Sequence, residues 1–162
     1  MALLVIILLV AVFCFSFVVL FGAPYLPTLS KQLEISLDLL DLKPGQTMLE
    51  LGCGDGRVLI AAAERGWNAV GYELNPILAL LAWLRTRKYG RQVRVICGNF
   101  WVLKWPLTDG IFGFILPRYM SKLNKKVIQE CQHPVKVVSF AFAISDRKPS
   151  AEKQGVFLYE YR

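Results

Sequence analysis

The stretch "LELGCGDGR", Leu49 to Arg57, places the carboxylate of Glu50 two positions before the first of three glycines, Gly52, Gly54 and Gly56, with Asp55 between the last two. Glycines at such spacing let the backbone bend through conformations closed to other residues, so a ligand can approach the main chain closely. A second carboxylate, Glu73, sits at the end of the apolar run Ala69 to Leu74, 17 residues past Gly56. An acid at the end of a second strand accepts hydrogen bonds from the hydroxyls of a ribose. Asn99 follows a third apolar run and can offer its side-chain oxygen to an adenine amino group, with the backbone of Phe100 beside it.

The glycine spacing separates two kinds of nucleotide ligand. A dinucleotide loop reads G-x-G-x-x-G and delivers a pyrophosphate to a helix N-terminus. Here the spacing is G-x-G-x-G, and Arg57 stands where the third glycine of that fingerprint belongs. Glu50 would repel a pyrophosphate, whereas it attracts an ammonium or a sulfonium centre. S-adenosylmethionine carries both, which makes it the expected cofactor. Glu50, Leu51, Gly52, Cys53, Gly54, Asp55 and Gly56 would line it, Glu73 and Leu74 would meet the ribose, and Asn99 and Phe100 the adenine. Cys53, Cys97 and Cys131 show no C-x-x-C pairing and no histidine at ligand spacing, so no metal is expected.

These residues need strands that end at one edge. Apolar runs at Thr47 to Leu51, Ala69 to Leu74, Val93 to Cys97, Asp109 to Leu116, Val135 to Ile144 and Val156 to Tyr161 read as strands. Helical patterns fall between them: Thr28 to Leu42, with Thr28 or Ser30 as N-cap, Arg57 to Arg65, Pro76 to about Tyr89 behind the N-cap Asn75, and Ser121 to Gln132. The alternation predicts an α/β, mostly parallel sheet of about six strands covered on both faces. "SDRKPSAEKQG", between the last two strands, is too polar for a crossover helix, so the last strand is expected to be antiparallel.

The chain has 162 residues, 55% of them hydrophobic, and a net charge of +7. Residues 2–23 carry no charge. As a helix they would reach roughly 30 Å, the thickness of a bilayer's hydrocarbon core. One N-terminal transmembrane helix is therefore expected, giving a single-pass membrane protein anchored in the bilayer through residues 2–23. Lys31 and Lys43 on the downstream side would put the rest in the cytoplasm, or in the matrix of a mitochondrion. Pro24 and Pro27 make residues 24–30 a stiff elbow, and residues 31–162 form the folded domain. The basic charge suits an anionic membrane surface or, as a second reading, nucleic acid. Trp101 and Trp105 read as core or membrane-facing residues, His133 as structural, and Lys122 to Lys126 as a solvated helix face.

"LELGCGDGR" together with "VGYELNP" resembles the first two motifs of class I S-adenosylmethionine-dependent methyltransferases, whose sheet is Rossmann-like. The order of apolar run, "APYLPT", "ELGCGDGR", "GYELNP" and a short end after "VKVVSFAFAI" is similar to the small membrane-anchored lysine methyltransferases of the ATP-synthase c subunit and the adenine nucleotide translocase. That resemblance implies N-methylation of a lysine in a membrane protein, with Tyr25, Pro27 and Thr28 of the elbow closing over cofactor and substrate. Asn99 departs from the aspartate common in the class. Enzymes that methylate nucleobases commonly carry Asn/Asp-Pro-Pro-Tyr/Phe after the fourth strand. Here "ILPRYM" stands there, making nucleic acid an unfavoured acceptor and Pro117 and Tyr119 candidate acceptor walls. No residue is singled out as a catalytic base. Two other readings remain open: a lipid, quinone or other small-molecule acceptor, and a non-catalytic basic binding module.

Overall fold

The computed structural model describes Met1, residues 4–6, Val12 and residues 30–162. Seven strands form one sheet: β1 (Thr47–Leu51), β2 (Asn68–Glu73), β3 (Val93–Cys97), β4 (Gly110–Gly113), β5 (Val135–Phe140), β6 (Ala151–Lys153) and β7 (Val156–Tyr161), in the order β3-β2-β1-β4-β5-β7-β6. The first five are parallel, and β7 lies antiparallel between β5 and β6. Strand order reverses at β1, the place in such sheets where a crevice opens beyond the carboxyl ends.

Helices α1 (Ser30–Leu40), α2 (Arg57–Glu64) and α3 (Pro76–Thr86) cover one face. There Leu37, Leu40, Met48, Leu59 and Ala62 are buried together. The other face is covered by α4 (Met120–Glu130), whose Met120, Leu123 and Val127 pack with Leu49, Leu51, Ile111 and Trp105. β1 is therefore buried on both sides, with Glu50 next to its tip as the one charged side chain, which fixes the height at which the glycine loop begins.

Boundaries follow local chemistry. α1 stops at Leu40 because Asp41 turns left-handed (φ 43°) and the Lys136 ammonium donates to the Leu40 carbonyl at 2.9 Å. α3 starts where the Asn75 side-chain oxygen accepts from the backbone of Ile77 at 2.9 Å and Leu78 at 3.3 Å, with Pro76 at the first helical position. β4 and β5 are shorter than expected from their apolar runs, and β5 ends where Ala141 adopts φ 68°. β6 was not expected in so polar a stretch. It pairs with β7 through a two-residue turn, Gln154 and Gly155, both with positive φ, the geometry that suits a tight hairpin. Trp105 lies in the core and the His133 ring nitrogen meets the Thr108 carbonyl at 2.7 Å, both structural roles.

The single span expected over residues 2–23 falls largely outside the described residues. Among the described residues no helix is long and apolar enough to cross a membrane. The assignment as a single-pass membrane protein, and the orientation built on it, therefore does not stand. Tyr25, Pro27 and Thr28 of the elbow also lie outside the described residues.

The tightest point in the layer beneath the loop is Gly71 on β2. A Cβ there would come within 2.7 Å of the Cys53 and Leu59 side chains. Gly71→Ala is expected to cost about 1–3 kcal/mol through overpacking, lowering the thermal midpoint by roughly 2–12 °C in a calorimetric scan.

Candidate functional site

β1 ends at Leu51, and the chain turns at Gly52 (φ 88°), Gly54 (φ 52°) and Gly56 (φ 79°), all in the left-handed region that favours glycine. The three glycines do different work. A side chain at Gly52 would project into open space, so this bend is the part of the loop a ligand can reach. A Cβ at Gly56 would lie 3.1 Å from the Ala82 Cβ and 3.3 Å from Thr86, so Gly56 lets α3 approach α2. Gly56 thereby takes the close-packing role that a dinucleotide loop gives its third glycine.

Glu73 fixes the loop. One carboxylate oxygen accepts from the Gly54 N–H at 2.8 Å and the other from the Asn75 N–H at 2.8 Å. The backbone N–H groups of Gly52 and Cys53 both donate to the Tyr72 carbonyl at 2.9 Å, and Gly98 N–H donates to the Glu73 carbonyl at 2.8 Å. Each Glu73 oxygen keeps a further lone pair.

Glu50, Asp55 and Glu73 are all buried around this loop, 4%, 7% and 7% exposed. Their neutralisation is unequal. Asp55 pairs with Arg57 at 3.0 Å and with Arg85. Burial pushes its pKa up, but the hydrogen bonds and charges of Arg57 and Arg85 outweigh that and hold the carboxyl below its ordinary value. Glu50 has one carboxylate oxygen, Oε2, with no hydrogen-bond partner. Burial, then the charges of Glu73 and Asp55, raise its pKa well above the ordinary value, against a smaller opposing pull from Arg57. A buried carboxylate oxygen left without a donor is costly unless something cationic completes it. An orphaned acid beside an open bend in the backbone fits a ligand bearing an ammonium group, and S-adenosylmethionine meets that requirement.

The remaining predicted residues divide. Cys53 contributes only backbone: its side chain is buried against Gly71, and burial followed by the Glu50 and Glu73 charges raises its thiol far from ionisation. Leu51 is buried and Leu74 half-buried. Asn99 turns its side-chain oxygen inward to accept from the Trp101 N–H at 2.9 Å, leaving a single lone pair for an adenine. Phe100 is half-buried, with its ring 4.7 Å from that of Trp101. Pro117 and Tyr119 occupy a 3-10 turn after β4, and the Tyr119 ring lies 5.9 Å from Trp101.

Sequence reasoning missed two features. Arg85, from α3, ties Asp55 to the helix. Phe114, Phe140 and Phe142 gather at the carboxyl ends of β4 and β5, with ring centroids 4.8 and 6.3 Å apart from Phe114. Aromatic residues at the ends of two neighbouring parallel strands were the available signal.

Residues 50–151 match the ANTKMT methyltransferase domain. The chain belongs to that methyltransferase family. It is 31% identical over 121 residues to the human lysine N-methyltransferase of the ATP-synthase c subunit, with 74% of this chain and 52% of the relative covered. It is 30% identical over 130 residues to a protein-lysine N-methyltransferase of Saccharolobus islandicus, with 78% and 81% covered. Among solved structures, an RNA methyltransferase from Salinibacter ruber in complex with S-adenosyl-L-homocysteine superposes with a TM-score of 0.75 at 25% identity, covering 84% of this chain and 92% of that one. The chain spans about half the length of the first curated relatives it matches.

The raised Glu50 pKa has a stability sign. Below its ordinary value, near pH ~4, the side chain is protonated in both folded and unfolded states, and burial carries no ionisation cost. As pH rises toward the folded value, stability is progressively lost. Glu50→Gln removes that loss, so the ligand-free variant is expected to melt above wild type near neutral pH, with the gap closing toward pH ~4 in calorimetric scans.

Proposed function

We propose that this chain is an S-adenosylmethionine-dependent N-methyltransferase that modifies a lysine of a protein, with a membrane protein as the acceptor. The observation that carries the cofactor reading is the orphaned Glu50 oxygen beside the open bend at Gly52. The lysine reading is supported by kinship with enzymes named for lysine methylation.

When bound, S-adenosylmethionine supplies an electrophilic methyl group for displacement by an amine. Glu50 would hold the ammonium end of the cofactor, whose charge would offset the burial that opposes ionisation of this carboxyl. Glu73 presents its second pair of lone pairs to the ribose while its first pair holds Gly54 and Asn75. Phe100 and Asn99 would hold the adenine. Gly52 and Gly54 bring backbone close to the methionyl part. Leu51, Cys53, Asp55, Gly56 and Leu74 complete the cradle from behind.

The acceptor amine enters from the β4 and β5 side, because β1 and β2 carry the cofactor loop. Lysine must shed a proton before it can attack, and a partly desolvated wall lowers the amine pKa toward neutrality. Phe114, Phe140 and Phe142 supply such a wall. Pro117 and Tyr119 line the substrate side. Catalysis in this scheme rests on placing the amine about 3–3.5 Å from the methyl carbon, with no dedicated base.

Glu73→Ala removes both the loop clamp and the ribose acceptor. Titration calorimetry with S-adenosylhomocysteine should show affinity falling roughly 100-fold, the loss of one to two charged hydrogen bonds. With tritiated methyl donor and membranes as acceptor, label is expected in a protein band and in methyllysine after hydrolysis. Unchanged affinity in the variant, or label confined to the organic phase, would overturn the proposal.

A further inference from the structure

Helix α3 is packed inside out. The residues it turns toward the sheet are small, with Ala79 5% and Ala82 0% exposed, while Leu80 and Trp83 on its outer face are 57% and 52% exposed. Ile77, Leu81 and Leu84 are likewise exposed, so the outer face is a continuous apolar strip on an ordered helix. An amphipathic surface helix ordinarily does the reverse. The inversion has a local cause: Gly56 and Ala82 must come within close contact for α3 to seat over the cofactor loop, and only small residues allow it.

The segment that carries this strip is basic, and the acids that reach it, Asp55 through Arg85 and Glu64 through Tyr89, belong to the loop before α2 and to the end of α2. From Leu74 to Thr108 the sequence contains no acid, and its six cations, Arg85, Arg87, Lys88, Arg91, Arg94 and Lys104, nearly account for the net +7 of the whole chain. Arg87, Lys88 and Arg91 stand exposed in the 3-10 turn (Arg87–Gln92) that directly continues α3. Arg94 is exposed on β3, the edge strand beside it.

We propose that the outer face of α3 and the basic turn after it form a docking surface for an anionic lipid bilayer, with Leu80, Trp83 and Leu84 entering the headgroup boundary and Arg87, Lys88 and Arg91 meeting lipid phosphates. An apolar strip carrying an exposed tryptophan, bordered by cations, is the chemistry of helices that lie in a membrane interface. An RNA surface would use the cations but leave the leucines in water. This contact lies parallel to the membrane plane and is distinct from a crossing helix. It rests on α3 alone and stands whether or not the acceptor is a lysine.

The test is local to Trp83, and so is independent of any other apolar part of the chain. Purified full chain is mixed with phosphatidylcholine vesicles holding increasing phosphatidylglycerol and bromine-labelled acyl chains, and tryptophan emission is recorded. Trp67 and Trp105 are buried and Trp101 is half-buried, and the Trp83→Phe difference spectrum subtracts all three to isolate the reporter. The expected result is quenching and a blue shift of the Trp83 component that grows with phosphatidylglycerol and fades with salt. Arg87→Glu, Lys88→Glu and Arg91→Glu should each weaken it by roughly fivefold or more. Leu80→Glu with Leu84→Glu should abolish it while S-adenosylhomocysteine affinity stays intact, which also shows that the variant is folded. Trp83 emission indifferent to bromolipid overturns the proposal, as does quenching that ignores phosphatidylglycerol. So does self-association without vesicles that the leucine variant removes, which would identify a second copy as the occupant. Protection of Trp83 by single-stranded RNA but not by vesicles overturns it as well.

Discussion

The Glu73 carboxylate ties together the segments that meet at the carboxyl edge of the sheet. Its two oxygens hold Gly54 from the loop after β1 and Asn75 from the start of α3, and its own carbonyl holds Gly98 after β3. Three connections are thus fixed to one residue, and each would otherwise be a surface loop with freedom to move. The cost is that Glu73 brings a negative charge into a buried site that already contains Glu50 and Asp55. Asp55 is relieved by two arginines, whereas Glu50 retains an oxygen without a donor. The site is organised in shape and incomplete in charge, and a cationic ligand supplies what it lacks.

The same packing shapes the outer surface. Gly56 seats α3 close to α2, which forces Ala79 and Ala82 inward and turns Leu80, Trp83 and Leu84 outward. Arg85 extends from this helix to Asp55, so the helix that carries the apolar strip is also anchored to the loop. Events at the surface and at the cofactor loop therefore share one rigid element.

Much of this was legible from sequence because the informative residues act locally. Apolar runs bounded by turn residues placed β1, β3 and β7 to the residue, and Asn75-Pro76 marked the start of α3. The glycine spacing and the two glutamates were readable because each is tied to the end of a strand, and the structure brings them together at the carboxyl edge of β1 and β2. What escaped was set by tertiary contact. β6 exists because β7 offers an edge and the turn at Gln154 and Gly155 permits a hairpin, not because its residues favour a strand. The inward turn of Asn99, the Arg85 bridge and the Phe114, Phe140 and Phe142 group depend on neighbours distant in sequence. The uncharged run at residues 2–23 fits a span by length and composition alone, and the described part of the chain contains no such helix.

The most direct measurement is the proton balance of cofactor binding, obtained by titrating S-adenosylhomocysteine calorimetrically at slightly acidic pH in buffers of different ionisation enthalpy. Burial and the neighbouring Glu73 and Asp55 charges favour the protonated Glu50 carboxyl in the ligand-free protein, and the arriving ammonium group should favour its ionised form. Wild type is then expected to release more protons to the buffer than Glu50→Gln, with the difference shrinking as pH rises. Equal proton release by the two proteins at every pH would contradict the account.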